Sequence, residues 1–216
     1  FDKIIFKNKT NHTHTIKEYN KLLKIRNALL ETNQNTEHWD HKTVELGIKI
    51  WDRRKVFFTN IEKHIYEVCE KIKDKNNFTV KYKPNSTKDP SEYTNKLKEK
   101  TKTPQTNYGP HKDQITFLLN GENLQEHGSQ GEKKLFRYIL KLAEAEYLNK
   151  EKKTEPILLL DDFFAKLDDE NIMKIFSYFH RKFQAIITTT TIDKTTIQKR
   201  IKEENKNGIK TILLDD

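Results

Sequence analysis

The sequence predicts an α/β protein in which a helical arm precedes a mostly parallel sheet with flanking helices. Three patterns carry that prediction. Apolar residues recur at threes and fours over the first third of the chain, as on helices that bury one face. From about residue 132 helical and strand patterns alternate, which predicts right-handed crossovers and parallel strands. Two of those strand segments, "PILLLDD" and "FQAIITT", are apolar without alternation, as expected of strands covered on both faces.

Taken in order, Ile16, Tyr19, Leu22, Leu23, Leu29 and Leu30 mark a first helix over 16–30, ended by the polar stretch "ETNQNTE". Trp39, Thr43, Leu46, Ile50, Phe57, Ile61, Ile65, Val68 and Ile72 mark a second, over 38–73. Unbroken, it spans about 54 Å, against a radius of gyration of about 17 Å for a compact chain of this size. It must therefore kink, with Gly47 the candidate position, or project as an arm. The alternating strand "FTVKYK" follows, then a Pro/Ser/Lys-rich stretch and a helix around 91–101. "QITFLLNGENLQ" supplies a strand and an Asn-Gly turn signal. The later alternation reads helix 132–149, strand 157–160, helix 170–181, strand 184–189, helix 193–203 and strand 209–214. The division expected is an arm over 1–76 and a lobe over 77–216.

Composition narrows the function classes. No run approaches 18 apolar residues and no charged-then-apolar leader opens the chain, so neither a membrane span nor a signal peptide is expected, and a cytoplasmic setting is expected. The single cysteine, Cys69, excludes an internal disulfide and sits among apolar helix positions as a small buried residue. A net charge of +9 suits a nucleic-acid partner. Yet 35 of the 41 cations are Lys, without the arginine forks that recognition surfaces favour. Lys21, Lys24, Lys42, Lys49 and Arg53 on the arm are candidate phosphate contacts, and an ordinary solvated helix face explains them equally. The chain opens on Phe1 and its only methionine is Met173, which reads as a piece of a longer polypeptide. His12 with His14, or His38 with His41, lack the third ligand and the cysteines of a zinc site.

The chemistry is concentrated in two places. Asp161 and Asp162 follow the aliphatic run Ile157 to Leu160, at the carboxyl end of a predicted strand, where open parallel sheets bind ligands. Adjacent carboxylates repel unless a cation or shared proton relieves them, and magnesium is the usual hard cation beside phosphates. A second acid there can orient or deprotonate an attacking water. The alternative is a solvated turn, and Asp168, with Asp169 and Glu170 behind it, is explained as the N-cap of the next helix. In the other place, "HGSQGEKKLF", Ser129 and Glu132 form a capping-box pattern. The same glycine-bearing helix start is also an anion site.

Together and in this order, "YGPHKDQITFLLNG", "GSQGEKK", "EPILLLDDFFAKLD" and "QAIITTTT" resemble the C-terminal half of the RecF family, within the SMC/ABC group of ATPases of bacterial DNA replication and repair. "YNKLLKIRNALL" and "WDHKTVELGIKIWDRR" resemble that family's helical arm. The resemblance implies the C-terminal part of an ABC/SMC-type ATPase head. It implies that Ser129, Gln130 and Gly131 are signature residues touching the γ-phosphate of ATP held by a second subunit. Asp161 is then the Walker B acid that holds Mg2+, and Asp162 the general base. Asp168 is a D-loop residue reaching across the dimer, and Thr188 to Thr190 stand at a switch position. The partners implied are double-stranded DNA near single-strand gaps, a second copy in an ATP-closed homodimer, and recombination accessory proteins. "GPHKDQ" departs from the family's GPHRDD at Lys112 and Gln114, leaving His111 and Asp113 as the matching positions. "QGEKK" departs from QGQQR or QGQQK at Glu132. No G-x-x-x-x-G-K-[ST] loop occurs in the 216 residues, so the phosphate cradle of such an ATPase is expected upstream, and these residues alone are not expected to hydrolyse ATP. Two other readings stay open: a metal-dependent phosphatase or nuclease using Asp161 and Asp162 directly, and a non-catalytic DNA-binding module.

Overall fold

Two helices pack along each other at the start of the chain. In the computed structural model, which describes residues 10–99, 104–153, 155–164 and 167–188, α1 spans Thr10–Glu31 and α2 spans Glu37–Ile72. Their shared core holds Tyr19, Leu22, Leu23, Leu46 and Ile50, the residues whose spacing marked them. α2 runs its 36 residues without interruption. Gly47 is not the break that its composition suggested: a Cβ there would overlap the ring of Tyr93, so the glycine serves close packing against α3 (Pro90–Lys98). The first half of α2 packs Val44 with Tyr93 and Leu97. The second half, from Phe57 to Ile72, enters the main core beside Ile139, Leu142, Phe163 and Ile175. One long helix thus forms a wall shared by the arm and the α/β region.

Polar groups fasten the arm as firmly as apolar ones. Arg26, only 2% exposed, donates to Asp40 Oδ1 at 2.8 Å, to Thr106 Oγ1 at 2.9 Å and to the Leu97 carbonyl at 2.7 Å. Asn27 Oδ1 accepts from both the N–H and the hydroxyl of Thr106. A second cluster gathers on "GPHKDQ". His111 Nε2 lies 2.8 Å from the Thr106 carbonyl, which can only accept, so in the neutral imidazole Nδ1 accepts from Tyr19 Oη at 3.0 Å. Tyr19 in turn accepts from Tyr93 at 3.3 Å. Asp113 takes Arg54 at 2.7 Å, the Tyr82 hydroxyl at 2.6 Å and the Asn85 N–H at 2.7 Å. Gly109, at φ 134°, leaves no room for a side chain beneath Tyr19 and Tyr93.

The strands form two sheets. β1 (Phe78–Lys83) pairs antiparallel with β2 (Gln114–Leu119), Phe78 opposite Leu119 and Lys83 opposite Gln114. β2 returns through Asn120 and Gly121, at φ 52° and 90°, into the two-residue β3 (Glu122–Asn123). That is the primed turn the Asn-Gly pair favours. A short helix, α4 (Leu124–His127), leads into α5 (Gln130–Lys152). β4 (Leu158–Leu160) then pairs in parallel with β5 (Ala185–Ile187), joined by α6 (Asp169–Phe179). The expected helix 193–203 and strand 209–214 lie outside the described residues.

The parallel pairing expected of the later alternating segment is present in β4 and β5, while β1, β2 and β3 ahead of it form a separate antiparallel sheet, β2 and β3 being joined by a two-residue turn that only antiparallel neighbours permit. One expectation is corrected: the parallel pair is not covered on both faces among the described residues. Leu158 and Leu160 are buried, whereas Ile157, Leu159 and Ile186 are 54%, 70% and 54% exposed. The unbroken apolar run supplies side chains for a second cover that the described residues do not provide. Among those residues no helix is long and apolar enough to cross a membrane. Cys69 is buried, and burial pushes its thiol up to about 12.

The Arg26 network predicts that Asp40→Ala, which strands a buried guanidinium, lowers stability by about 3–5 kcal/mol, measured by urea denaturation. His64 makes a pH prediction. Burial, with the cation of Lys150 nearby, holds its imidazole below the usual range. The unfolded chain therefore binds its proton first, near the ordinary value of about 6.5. Stability should fall as pH drops through that value and level off once the folded imidazole also titrates. His64→Gln should flatten this part of the urea-midpoint profile.

Candidate nucleotide site

The acid turn stands where β4 ends. Asp161 is exposed and Asp162 half-buried, and Asp162 adopts a left-handed φ of 49°, which aspartate tolerates better than most residues. The two peptide units flanking Asp162 have all four polar groups engaged. The Asp161 carbonyl accepts from the Tyr138 hydroxyl at 3.2 Å, and the Asp162 N–H donates to Thr188 Oγ1 at 3.1 Å. The Asp162 carbonyl accepts from Lys134 Nζ at 2.6 Å, and the Phe163 N–H donates to the Thr188 carbonyl at 3.2 Å. Two side chains one turn apart on α5 therefore hold the carbonyls, while Thr188, just past β5, holds the amides.

The carboxylates have different surroundings. Asp161 Oδ1 accepts the Thr188 hydroxyl at 2.5 Å and remains open to solvent. Asp162 Oδ1 is buried without a hydrogen-bond partner, which is unusual for a buried polar oxygen. Tyr138 feels both: burial, then Asp162, push its hydroxyl up to about 12.

The glycine-bearing turn lies at the start of the same α5. Ser129 is its N-cap, with both arms of the capping box formed: Ser129 Oγ accepts from the Glu132 N–H at 3.2 Å, and Glu132 Oε2 accepts from the Ser129 N–H at 2.8 Å. That bond to the Ser129 backbone holds the Glu132 carboxyl below its usual range. The cap uses the hydroxyl of Ser129 as an acceptor, so its O–H can still donate outward. Ser129 and Gln130 are exposed and Gly131 half-buried. Lys134, five residues after Ser129, ties this helix start to the acid turn.

The remaining expected residues divide. Asp168 caps α6, its two oxygens accepting from the N–H and side-chain amide of Asn171 at 2.8 Å each, and the Asn171 N–H lowers its carboxyl. Glu170 pairs with Lys174. His111 and Asp113 are fastened into the arm clusters described above. Of the arm cations, Lys42 and Lys49 both pair with Glu45, and Arg53 bonds Thr15. Lys21 and Lys24 are exposed. Thr189 and Thr190 lie outside the described residues. Sequence reasoning missed Lys134 and Tyr138, whose i, i+4 spacing on one helix face was the available signal.

As for fit, Asp161 offers an exposed carboxylate for a hydrated divalent cation, and magnesium needs few protein ligands beside phosphates. Among the described residues no group of three or more His, Cys, Asp or Glu converges, as a two-ion hydrolytic centre requires.

No protein-family model matches the chain. The DNA replication and repair protein RecF of Geobacter metallireducens is 31% identical over 206 residues, covering 88% of this chain and 56% of the relative. RecF of Geotalea uraniireducens is 29% identical over 212 residues, covering 91% and 58%. A solved structure of the recombination mediator protein RecF-ATP in the RecFOR pathway superposes with a TM-score of 0.75 at 26% identity, over 89% of this chain and 56% of that one. By sequence and by fold the chain is similar to RecF. It spans little more than half the length of these RecF relatives. A second solved structure, RecF-ATPrS of the same pathway, superposes at 0.72.

The capping box predicts that Ser129→Ala lowers thermal stability by about 1 kcal/mol, whereas Ser129→Asn, which also caps, leaves it nearly unchanged.

Proposed function

We propose that these residues form the C-terminal part of a RecF-type ATPase head that binds DNA as an ATP-gated dimer during replication and recombinational repair. The observation that carries this reading is the acid turn of β4 bonded directly to the helix that opens in the Ser129–Gly131 turn, in a chain that superposes on RecF-ATP. The open apolar face of Ile157, Leu159 and Ile186 supports it, as a surface against which a phosphate-cradling lobe packs.

In this mechanism Ser129, Gln130 and Gly131 donate to the γ-phosphate of ATP bound by the partner copy, using the outward hydroxyl and the amides at the N-terminus of α5. Asp161 would hold magnesium, which when bound would neutralise developing phosphate charge. Asp162 orients the attacking water and accepts its proton, the task to which its unpartnered oxygen is suited. Asp168 contacts the facing head. Closure on ATP and release after hydrolysis couple nucleotide state to the grip on double-stranded DNA near single-strand gaps, with recombination accessory proteins as further partners. The basic balance of the chain favours a phosphate backbone.

The test is magnesium-dependent ATP turnover by the complete gene product containing these residues. Asp162→Asn should lower kcat by about 100-fold or more while ATP still binds. Turnover unchanged by that substitution would reject the reading.

A further inference from the structure

The carboxylate of Asp162 can act on water only if its backbone holds it in one direction, and the contacts that do so are unequal. Tyr138 and Thr188 hold the peptide unit before Asp162. The unit after it is held by the Thr188 carbonyl, which accepts from the Phe163 N–H, on one side and by Lys134 on the other. Lys134 makes the shortest of these four bonds, at 2.6 Å. Its side chain is 9% exposed, and its ammonium lies 5.8 Å from the Tyr138 ring centroid. Lysine is almost never buried without a compensating interaction, and here the ammonium donates to a main-chain oxygen of the residue whose carboxylate is at issue. That residue is also in a left-handed conformation, which surrounding contacts must over-determine for it to persist.

We propose that Lys134 is a positioning residue for hydrolysis: by gripping the Asp162 carbonyl from α5, it fixes the direction of the Asp162 carboxylate and ties that direction to the helix bearing Ser129. The proposal rests on the reading of Asp162 as the acid that handles water. The role assigned to Lys134 runs through its bond to the Asp162 carbonyl. Its effect is on geometry, where a displacement of about 1 Å can lower a rate about 100-fold.

The experiment compares Lys134→Met, Lys134→Gln and Lys134→Arg in the complete gene product, with steady-state ATP turnover, KM for ATP and thermal unfolding. Lys134→Met keeps the apolar stem and removes the donor. It should lower kcat by about 10- to 100-fold while KM moves less than about threefold. Lys134→Arg, which restores a cationic donor, should recover most of that loss. Wild-type kcat in Lys134→Met overturns the proposal, as does a loss that Lys134→Arg does not relieve in a folded protein. Should Lys134→Met fail to fold, Lys134→Gln takes its place: a selective kcat loss supports the proposal and an unchanged kcat rejects it. Asp162→Asn, run in parallel, separates the two ideas. If it is inactive while Lys134→Met is fully active, only the positioning of Asp162 by Lys134 fails; if Asp162→Asn itself turns over ATP, the hydrolytic reading fails first.

Discussion

The structure depends on how two peptide units are held at the tip of β4. An aspartate in a left-handed conformation at the end of a short strand would sample several arrangements on its own. Here each flanking carbonyl is taken by a side chain of α5 and each flanking amide by Thr188. The turn is therefore a junction between the parallel pair and the helix that starts at Ser129. Any movement of α5 must be felt at Asp161 and Asp162, and the reverse. The glycine-bearing turn and the acids are thereby mechanically coupled through α5.

The arm obeys a similar economy. α2 lines both the arm and the main core, so its orientation is set twice: by apolar packing along Phe57 to Ile72 and by the buried Arg26 network near its start. The "GPHKDQ" segment joins these regions through His111 and Asp113, which bond Tyr19, Arg54 and Tyr82. A segment that looks like a functional motif thus has a full structural role. The departures at Lys112 and Gln114 leave that role intact, because the bonds run through His111, Asp113 and the Pro110 carbonyl.

Much of this was legible in the sequence because periodicity reports burial. The helices α1, α2, α5 and α6, the hairpin at Asn120 and Gly121, and the parallel pair followed from spacing and turn chemistry. So did the cap at Asp168 and the capping box at Ser129. Spacing could not tell that Gly47 makes room for Tyr93, since the space a glycine leaves is defined by a partner some forty residues away. Nor could it find Arg26, which resembles any solvated helix cation until Asp40, Thr106 and Leu97 converge on it. The apolar run before Asp161 was read as covered on both sides; a run of that kind records the covering a strand is built for, and Leu159 at 70% exposure shows only one cover among the described residues.

The adjacent acids in a chain of net charge +9 are best understood through their inequality. Were both carboxylates equally solvated, they would be interchangeable, and nothing would separate a metal ligand from a base. The left-handed step between β4 and Phe163 breaks that equivalence. Asp161 faces solvent with one oxygen already accepting from Thr188, which suits a ligand to a hydrated cation. Asp162 carries a buried oxygen with no partner, a site that rewards a positioned donor such as water. Here the contrast arises from backbone geometry, held by Lys134, Tyr138 and Thr188, with the two side chains chemically identical.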